Sequence, residues 1–165
     1  MTNQTDLFSP AAARFTVNAD GGCRGNGKEN APGGWGVYIE NHVTGEETDL
    51  YGGERGTTNN RMELTAVIKG LLAVPQAAEI LVTTDSQYVY KGVTEWVAGW
   101  IKRGWTTAAG KPVLNVDLWQ ELNSLLKARK NVKFQWVRGH SGHPGNERAD
   151  GLTNRAMDEL TGKGK

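Results

Sequence analysis

Four carboxylates lie where predicted strands or helices begin or end, and their residue types could support metal-dependent chemistry. Asp20 ends the alternating segment RFTVNAD, and Asp85 directly follows the apolar segment EILVTT. Glu63 lies in the first turn of a predicted helix, and Asp150 lies on the last predicted helix. If they converge, their mutual repulsion keeps at least one of them protonated unless cations intervene.

The expected chemistry follows from the ligand type. Carboxylate oxygens without a Cys or His cluster suit Mg²⁺ or Mn²⁺ rather than zinc. Two such ions activate water and stabilise a leaving oxygen in phosphodiester hydrolysis. The sequence contains neither GxxxxGK[ST] nor GxSxG, so nucleoside triphosphate chemistry and serine hydrolase chemistry have little support.

Each carboxylate also has a purely structural interpretation, and the residues alone leave these interpretations open. Asp20 could form a turn, and Asp85 could cap the helix that follows it. Glu63 has capping-box spacing from Asn60, and Asp150 could be a solvated helical residue. None of these interpretations accounts for the polar residues expected at the same edge, among them Asn18, Thr83 and Thr84.

The pattern of strands and helices predicts how the carboxylates are positioned. Strands are expected at 14–20, 35–41, 46–53, 79–84 and 132–137. Helices are expected at 59–74, at 85–104 with breaks at Gly92 and Gly99, at 115–129 with Asn115 or Asp117 as cap, and at 146–160. This order predicts an α/β fold: a five-stranded mixed sheet, with a three-strand antiparallel meander, two parallel strands, and helices on both faces.

Two helices place a carboxylate beside an apolar face. In the helix at 59–74, Glu63 lies at the margin of a stripe formed by Leu64, Val67, Ile68, Leu71 and Val74. In the last helix, Asp150 adjoins a face formed by Ala149, Leu152, Ala156 and Leu160. If the strands that end near Asp20 and Asp85 are parallel neighbours, all four carboxylates can meet at the carboxyl edge of the sheet.

Composition limits the class of protein. The 165 residues are 38% hydrophobic and 22% charged with a net charge of +1, which predicts one globular domain over residues 14–160. The single cysteine, Cys23, excludes an internal disulfide framework. No apolar run is long enough for a membrane span, and the N-terminus lacks a signal-peptide pattern. We expect a cytoplasmic monomer with a disordered extension at 1–13 and a flexible tail at 161–165.

Five segments together resemble the successive signature motifs of type 1 ribonuclease H, the bacterial and cellular form. They are NADGGCRGN, TTNNRMEL, TTDSQYV, WIKRGWTTAAGKPVLNVDLW and WVRGHSGHPGNERAD, and the resemblance extends from about residue 15 to 160. It implies a ribonuclease H-like fold and endonucleolytic cleavage of the RNA strand of RNA–DNA hybrids, with 5′-phosphate and 3′-hydroxyl ends.

The resemblance also implies roles for particular residues. Asp20, Glu63, Asp85 and Asp150 match the metal-binding carboxylates, which hold two Mg²⁺ ions with Mn²⁺ as a substitute, and His140 matches a flexible catalytic histidine. His143, at the start of the last helix, is expected to be structural. The expected substrate contacts are Gly21, Cys23, Asn26, Thr58, Asn59, Asn60, Gln87, Trp96, Lys102, Arg103, Trp105 and Asn146.

Two segments depart from the family pattern. The loop after Asn26, GKENAPGG, is longer than the usual compact turn, and Gly22 replaces a frequent serine. The expected basic protrusion, residues 88–112, carries fewer charges than usual, with Ala98, Gly99 and Ile101 at positions that are often polar or basic. We therefore expect this protein to bind the RNA–DNA hybrid more weakly than a relative whose segment is more basic.

Three alternatives remain at this point. A catalytically idle hybrid-binding module on the same fold would not need all four carboxylates and His140. A nuclease of the same superfold that acts on DNA would differ in substrate preference. A purely structural protein would leave the polar edge of the sheet unexplained.

Overall fold

A five-stranded mixed sheet forms the centre of the molecule. The computed structural model describes residues 13–162, so most of the predicted flexible ends lie outside the described residues. The strands are β1 (Arg14–Cys23), β2 (Pro32–Asn41), β3 (Glu47–Arg55), β4 (Glu79–Thr84) and β5 (Val132–Trp136). Their spatial order is β3-β2-β1-β4-β5.

The pairing of the strands confirms the predicted fold class. β1 is antiparallel to β2, and β2 is antiparallel to β3, which forms the meander. β1 is parallel to β4, with Ala19 opposite Thr84, and β4 is parallel to β5. Because β1 and β4 run side by side, their carboxyl ends reach the same edge of the sheet.

The helices are α1 (Asn59–Leu72), α2 (Gln87–Lys91), α3 (Val97–Lys102), α4 (Val116–Lys127) and α5 (Pro144–Thr161). A π-helical turn at Gly92–Trp96 connects α2 to α3 without leaving the helical path. The predicted irregularity at Gly92 therefore exists as a π turn. The predicted break at Gly99 is wrong, because this residue lies inside α3.

Two predicted helix starts need correction, and a third is confirmed in position. The cap of α1 is Thr58, whose Oγ1 accepts a hydrogen bond from the Arg61 N–H at 3.2 Å, so the capping interpretation of Asn60 is wrong. Asn115 occupies the N-cap position of α4, as one of the two predicted caps, but it has a left-handed φ of 59° and its side chain makes no capping hydrogen bond. α5 begins at Pro144, two residues before the predicted start, because His143 Nδ1 accepts a hydrogen bond from the Asn146 N–H at 3.0 Å.

Helices cover both faces of the sheet. Gly70 of α1 lies against Val17, whereas Gly145 of α5 lies against Asn18. Because successive strand residues point to opposite faces, α1 and α5 lie on opposite sides of β1. The predicted apolar stripe is buried throughout, although its last member, Val74, lies beyond the end of α1 at Leu72. The main core therefore lies between α1, α4 and the sheet.

Aromatic side chains hold residues 87–102 against α4. Trp96 and Trp100 pack together with ring centroids 5.9 Å apart, as their i, i+4 spacing predicts. Trp100 and Tyr88 both pack against the fully buried Trp119 of α4. Their ring centroids lie 5.3 and 5.4 Å from that of Trp119. This cluster fixes the base of the basic segment.

Among residues 13–162, no helix is long and apolar enough to cross a membrane.

Candidate active site

Three of the four carboxylates meet at the carboxyl edge of β1 and β4. The carboxylate oxygens of Asp20, Glu63 and Asp85 all lie within 4.8 Å of one another. Asp20 and Asp85 are neighbours because Ala19 pairs with Thr84, the last residue of β4. The strand itself continues three residues past Asp20, to Cys23, because Gly21–Cys23 pair with β2. The interpretation of Asp20 as a turn residue is therefore wrong.

Gly21 brings Glu63 close to Asp20. A Cβ on Gly21 would overlap the backbone of Met62 and Glu63, so only glycine allows β1 to approach the first turn of α1 this closely. The Gly21 N–H also donates a hydrogen bond to the Glu63 carboxylate. The close approach of these two backbones therefore sets the separation of Asp20 and Glu63.

Burial and mutual repulsion perturb two of these carboxylates. Burial, followed by the charges of Asp85 and Asp150, raises the pKa of Asp20 to about 8, although a hydrogen bond with Thr153 acts in the opposite direction. The pKa of Glu63 is raised well above its ordinary value, first by burial and then by the charges of Asp20 and Asp85. In the absence of a cation, protons are therefore retained in this cluster at neutral pH.

Asp150 lies beside the three-carboxylate cluster. Its charge raises the pKa of both Asp20 and Glu63, so it contributes to the negative potential at the cluster. Its oxygens, however, are not within 4.8 Å of all three other carboxylates. Asn154, one turn further along α5, donates from Nδ2 to the Asp150 backbone carbonyl at 3.0 Å and approaches its Oδ2 at 3.4 Å.

The cluster fits a hard divalent cation. Its donors are carboxylate oxygens, which Mg²⁺ and Mn²⁺ prefer. Glu63 Oε1 is buried and has no hydrogen-bond partner among residues 13–162, which is costly for a carboxylate oxygen unless a cation faces it. Within the same described range, no Lys or Arg forms an ion pair with Asp20, Glu63 or Asp85.

The loop at 138–142 lies against Asp85. A Cβ on Gly139 would be 2.7 Å from Asp85 Oδ2, so the backbone of this loop contacts the carboxylate directly. The next residue, His140, is exposed and has a left-handed φ of 55°. Ser141 Oγ donates to the Arg138 carbonyl at 2.6 Å and closes the turn. His140 therefore lies one residue from the backbone that touches Asp85.

We expect Gly139→Ala to reduce turnover by about 10- to 100-fold, because displacing a catalytic group by about 1 Å can have an effect of this size. The Asp85 side chain must turn away from the added Cβ, whereas the rest of the fold can stay unchanged. Steady-state cleavage rates and thermal unfolding of the variant test this. Gly151→Ala is the matched control, since a Cβ there meets nothing within 4 Å. Equal activities of the two variants would contradict the role of this contact.

Three of the expected substrate contacts form one hydrogen-bonded wall beside the carboxylates. The Cys23 N–H donates to Asn59 Oδ1 at 2.6 Å, and the Asn59 N–H donates to Asn26 Oδ1 at 3.0 Å. Thr58 caps α1 in the same wall, and Asn60 lies in its first turn. The structure therefore brings these five predicted residues together.

The other expected contacts are spread more widely. Gln87 is exposed at the start of α2, and Lys102 and Arg103 are exposed at the end of α3. Trp105 is half-buried with a left-handed φ of 66°. Trp96 belongs to the aromatic cluster described above. Asn146 is buried, and its Nδ2 has no hydrogen-bond partner among residues 13–162.

Sequence reasoning missed two residues that act on the carboxylates. Thr153 forms a hydrogen bond with Asp20, and its only signal is helical spacing, three residues after Asp150. Gly139 contacts Asp85 through its backbone, and no pattern in the sequence predicts that contact. His143 caps α5 through Nδ1, in agreement with its predicted structural role.

Comparisons with known proteins agree with this geometry. The RNase H family model matches residues 12–158. A ribonuclease H from Pseudomonas savastanoi pv. phaseolicola is 57% identical over 162 residues, which cover 98% of this chain and 98% of that protein.

Two solved structures are similar in fold and sequence. LC9-RNase H1, described as a type 1 RNase H with the type 2 active-site motif, has a TM-score of 0.77 and 38% identity over 88% of this chain and 72% of its own. LC11-RNase H1, solved in complex with an RNA/DNA hybrid, has a TM-score of 0.63 and 25% identity over 89% of this chain and 99% of its own. The chain therefore belongs to the ribonuclease H family of nucleases, in its bacterial type 1 form.

Proposed function

We propose that the protein hydrolyses the RNA strand of RNA–DNA hybrids and leaves 5′-phosphate and 3′-hydroxyl ends. The observation that carries this proposal is the partly buried cluster of Asp20, Glu63 and Asp85, which has no cationic partner within residues 13–162. The relative LC11-RNase H1, solved with an RNA/DNA hybrid, supports the choice of substrate.

The metal-binding residues would be Asp20, Glu63, Asp85 and Asp150. Asp20 and Glu63 would hold one Mg²⁺, and Asp20, Asp85 and Asp150 would hold the other, with Mn²⁺ as a substitute. Two bound ions supply activation of the attacking water and stabilisation of the leaving 3′-oxygen. The protein holds Asp20, Glu63 and Asp85 together in advance through the Gly21 contact and the β1–β4 pairing.

The remaining residues bind and position the substrate. The wall of Cys23, Asn26 and Asn59 presents amide groups and backbone beside the carboxylates, where they can engage the 2′-hydroxyls that distinguish RNA from DNA. Lys102 and Arg103 are exposed on the segment that packs through its tryptophans, and they would contact phosphates of the duplex.

His140→Ala is expected to reduce turnover by about 100-fold, because groups that assist proton transfer typically contribute on the order of 10²–10⁴. His140 is exposed on the loop that contacts Asp85, from which its imidazole can move a proton or assist product release. Single-turnover and steady-state rates measured from pH 6 to 9 separate these two roles. Glu121→Ala, an exposed change on α4, serves as the control. A wild-type rate and pH profile for His140→Ala would contradict the assignment.

The proposal as a whole is tested by cleavage of a labelled hybrid with and without Mg²⁺. We expect metal-dependent cuts in the RNA strand only, and end-group analysis should find 5′-phosphates. Binding without cleavage would indicate the idle hybrid-binding module. Cleavage of DNA–DNA duplexes in preference to hybrids would indicate a DNA nuclease of the same superfold.

Three broader expectations accompany this proposal. The protein is proposed to act as a monomer in the cytoplasm, with one catalytic domain over residues 14–160. Size-exclusion chromatography with light scattering tests the monomeric state, and limited proteolysis tests the single domain.

A further inference from the structure

A second concave site lies at the edge of the sheet opposite to the carboxylates. It is a cleft of about 760 Å³ at the amino ends of β1, β4 and β5, lined by residues 14–16, 79–81 and 130–133 together with His42. The volume falls within the range of about 300–1,000 Å³ that is usual for small-molecule sites. Nothing in the proposed cleavage reaction uses this cleft.

The floor of the cleft is a part of the sheet that α5 leaves open. Thr16, Leu81 and Lys133 are cross-strand neighbours in register, so they lie on one face of the sheet. This is the face on which Asn18 meets α5, but α5 packs against β1, β2 and β3. The amino ends of β4 and β5 therefore remain accessible, with Leu81 half-buried and Lys133 exposed.

The cleft is also separate from the carboxylates. Thr16 and Asp20 are four residues apart on β1, which corresponds to about 13 Å along the strand. A ligand in the cleft would therefore not reach the cluster of Asp20, Glu63 and Asp85.

The cleft is positively charged, although the chain as a whole carries only +1. Arg14, Lys130 and Lys133 line it and are exposed, and none of them forms an ion pair within residues 13–162. Glu79 is the one acidic side chain in the lining. Three cations at one cleft attract a phosphate-bearing ligand, and Arg and Lys are the usual phosphate contacts in proteins.

The other lining groups define the rest of the ligand. Leu81, on the open face of the sheet, supplies apolar surface on which a planar ring can lie. The Glu79 carboxylate can accept hydrogen bonds from hydroxyl or amino groups, which a bare phosphate lacks. His42 Nε2 and Thr16 Oγ1 form a hydrogen bond of 2.7 Å, which fixes the position of the His42 ring in the lining of the cleft.

We propose that this cleft binds a nucleoside phosphate, either a free mononucleotide or the phosphorylated end of a nucleic-acid strand. The phosphate would contact Arg14, Lys130 and Lys133, the base would lie on Leu81, and Glu79 would accept from the sugar or the base. The site is independent of the proposed hybrid cleavage, so either proposal can fail without the other.

The test is a titration of the full chain, labelled with ¹⁵N, in buffer free of divalent cations so that the acidic cluster repels phosphates. The probes are AMP, ATP, adenosine, inorganic phosphate and a 5′-phosphorylated tetradeoxynucleotide. We expect AMP or ATP to bind with a dissociation constant below about 1 mM. Amide shifts should be concentrated at residues 14–16, 79–81 and 130–133. Adenosine and phosphate alone should bind more weakly, since each lacks half of the recognised groups.

Two variants make the test specific. Lys133→Glu should weaken nucleotide binding at least about tenfold, because it removes one charge-assisted contact and adds repulsion. Lys127→Glu, the same charge change at an exposed position of α4, should leave binding unchanged. Hybrid cleavage by Lys133→Glu should stay at the wild-type rate, which separates this site from the active site.

The probe that binds most tightly identifies the source of the ligand. Tighter binding of the tetradeoxynucleotide than of AMP would indicate a strand end, and the reverse order would indicate a free mononucleotide. The proposal would be overturned by the absence of saturable binding for all phosphate probes, by binding that Lys133→Glu does not weaken, or by shifts confined to the acidic cluster.

Discussion

Replacement of Asp20 by asparagine is expected to reduce the rate of hybrid cleavage by at least about 10⁴-fold, a loss of about 5.5 kcal/mol in transition-state stabilisation. Asp20 is the carboxylate that both proposed metal sites share, and its oxygens lie within 4.8 Å of those of Glu63 and Asp85. Asparagine preserves the size of the side chain but removes the charge, so the expected loss is chemical rather than structural.

The measurement is single-turnover cleavage of a labelled hybrid at saturating Mg²⁺, with hybrid affinity determined separately. Asp49→Asn is the control, since Asp49 pairs with Arg148 on the surface at 2.6 Å and lies on β3, which β2 separates from β1. We expect this control to cleave at close to the wild-type rate. A variant Asp20→Asn that retains more than about one hundredth of the activity would be incompatible with a shared metal ligand.

The metal-free protein is expected to lose stability as the pH rises from about 5 to about 8.5. The pKa of Asp20 is about 8 in the folded protein, against an ordinary value of 3.8. Between these values the folded state binds a proton that the unfolded state has released, so the free energy of unfolding falls with rising pH. The stabilising contribution of the proton that Asp20 retains in the folded state is complete below about pH 4 and lost above about pH 8. Its size is on the order of a few kcal/mol.

Asp20→Asn separates this effect from other titrations. The variant carries no charge at this position, so in EDTA it should become more stable than the wild type by a margin that grows from pH 5 to pH 8.5. Mg²⁺ should reduce the margin, because a bound cation offsets the repulsion. Urea unfolding at several pH values measures the growth of the margin in EDTA and its reduction in Mg²⁺. A constant margin, or a variant less stable at pH 8.5, would show that burial and repulsion do not raise the pKa of Asp20.

The pH window is chosen to avoid opposing contributions. Arg61 lowers the pKa of Asp117 through a hydrogen bond, so this pair stabilises the fold above the ordinary carboxyl pKa and loses that contribution as the pH falls. The loss lies in the acidic range, and measurements above pH 5 exclude most of it.

Local periodicity in the sequence determined much of the fold. The apolar stripe of α1 follows from the 3.6-residue repeat, and every member of it is buried. The order of strands and helices predicted a mixed sheet, because alternation with helices requires parallel neighbours. The sequence also indicated that Asp20 and Asp85 could lie close together if their two strands were parallel neighbours, and the pairing of β1 with β4 confirms that condition.

Tertiary structure alone decided the geometry and electrostatics of the site. The contact of Gly21 with α1 and that of Gly139 with Asp85 join residues more than forty positions apart, and no local pattern encodes them. The raised pKa values of Asp20 and Glu63 depend on burial, which packing of the whole chain creates. The cleft at the opposite edge exists because α5 covers only part of one face of the sheet. Periodicity encodes which side of an element is apolar, whereas distances between elements depend on how all of them pack together.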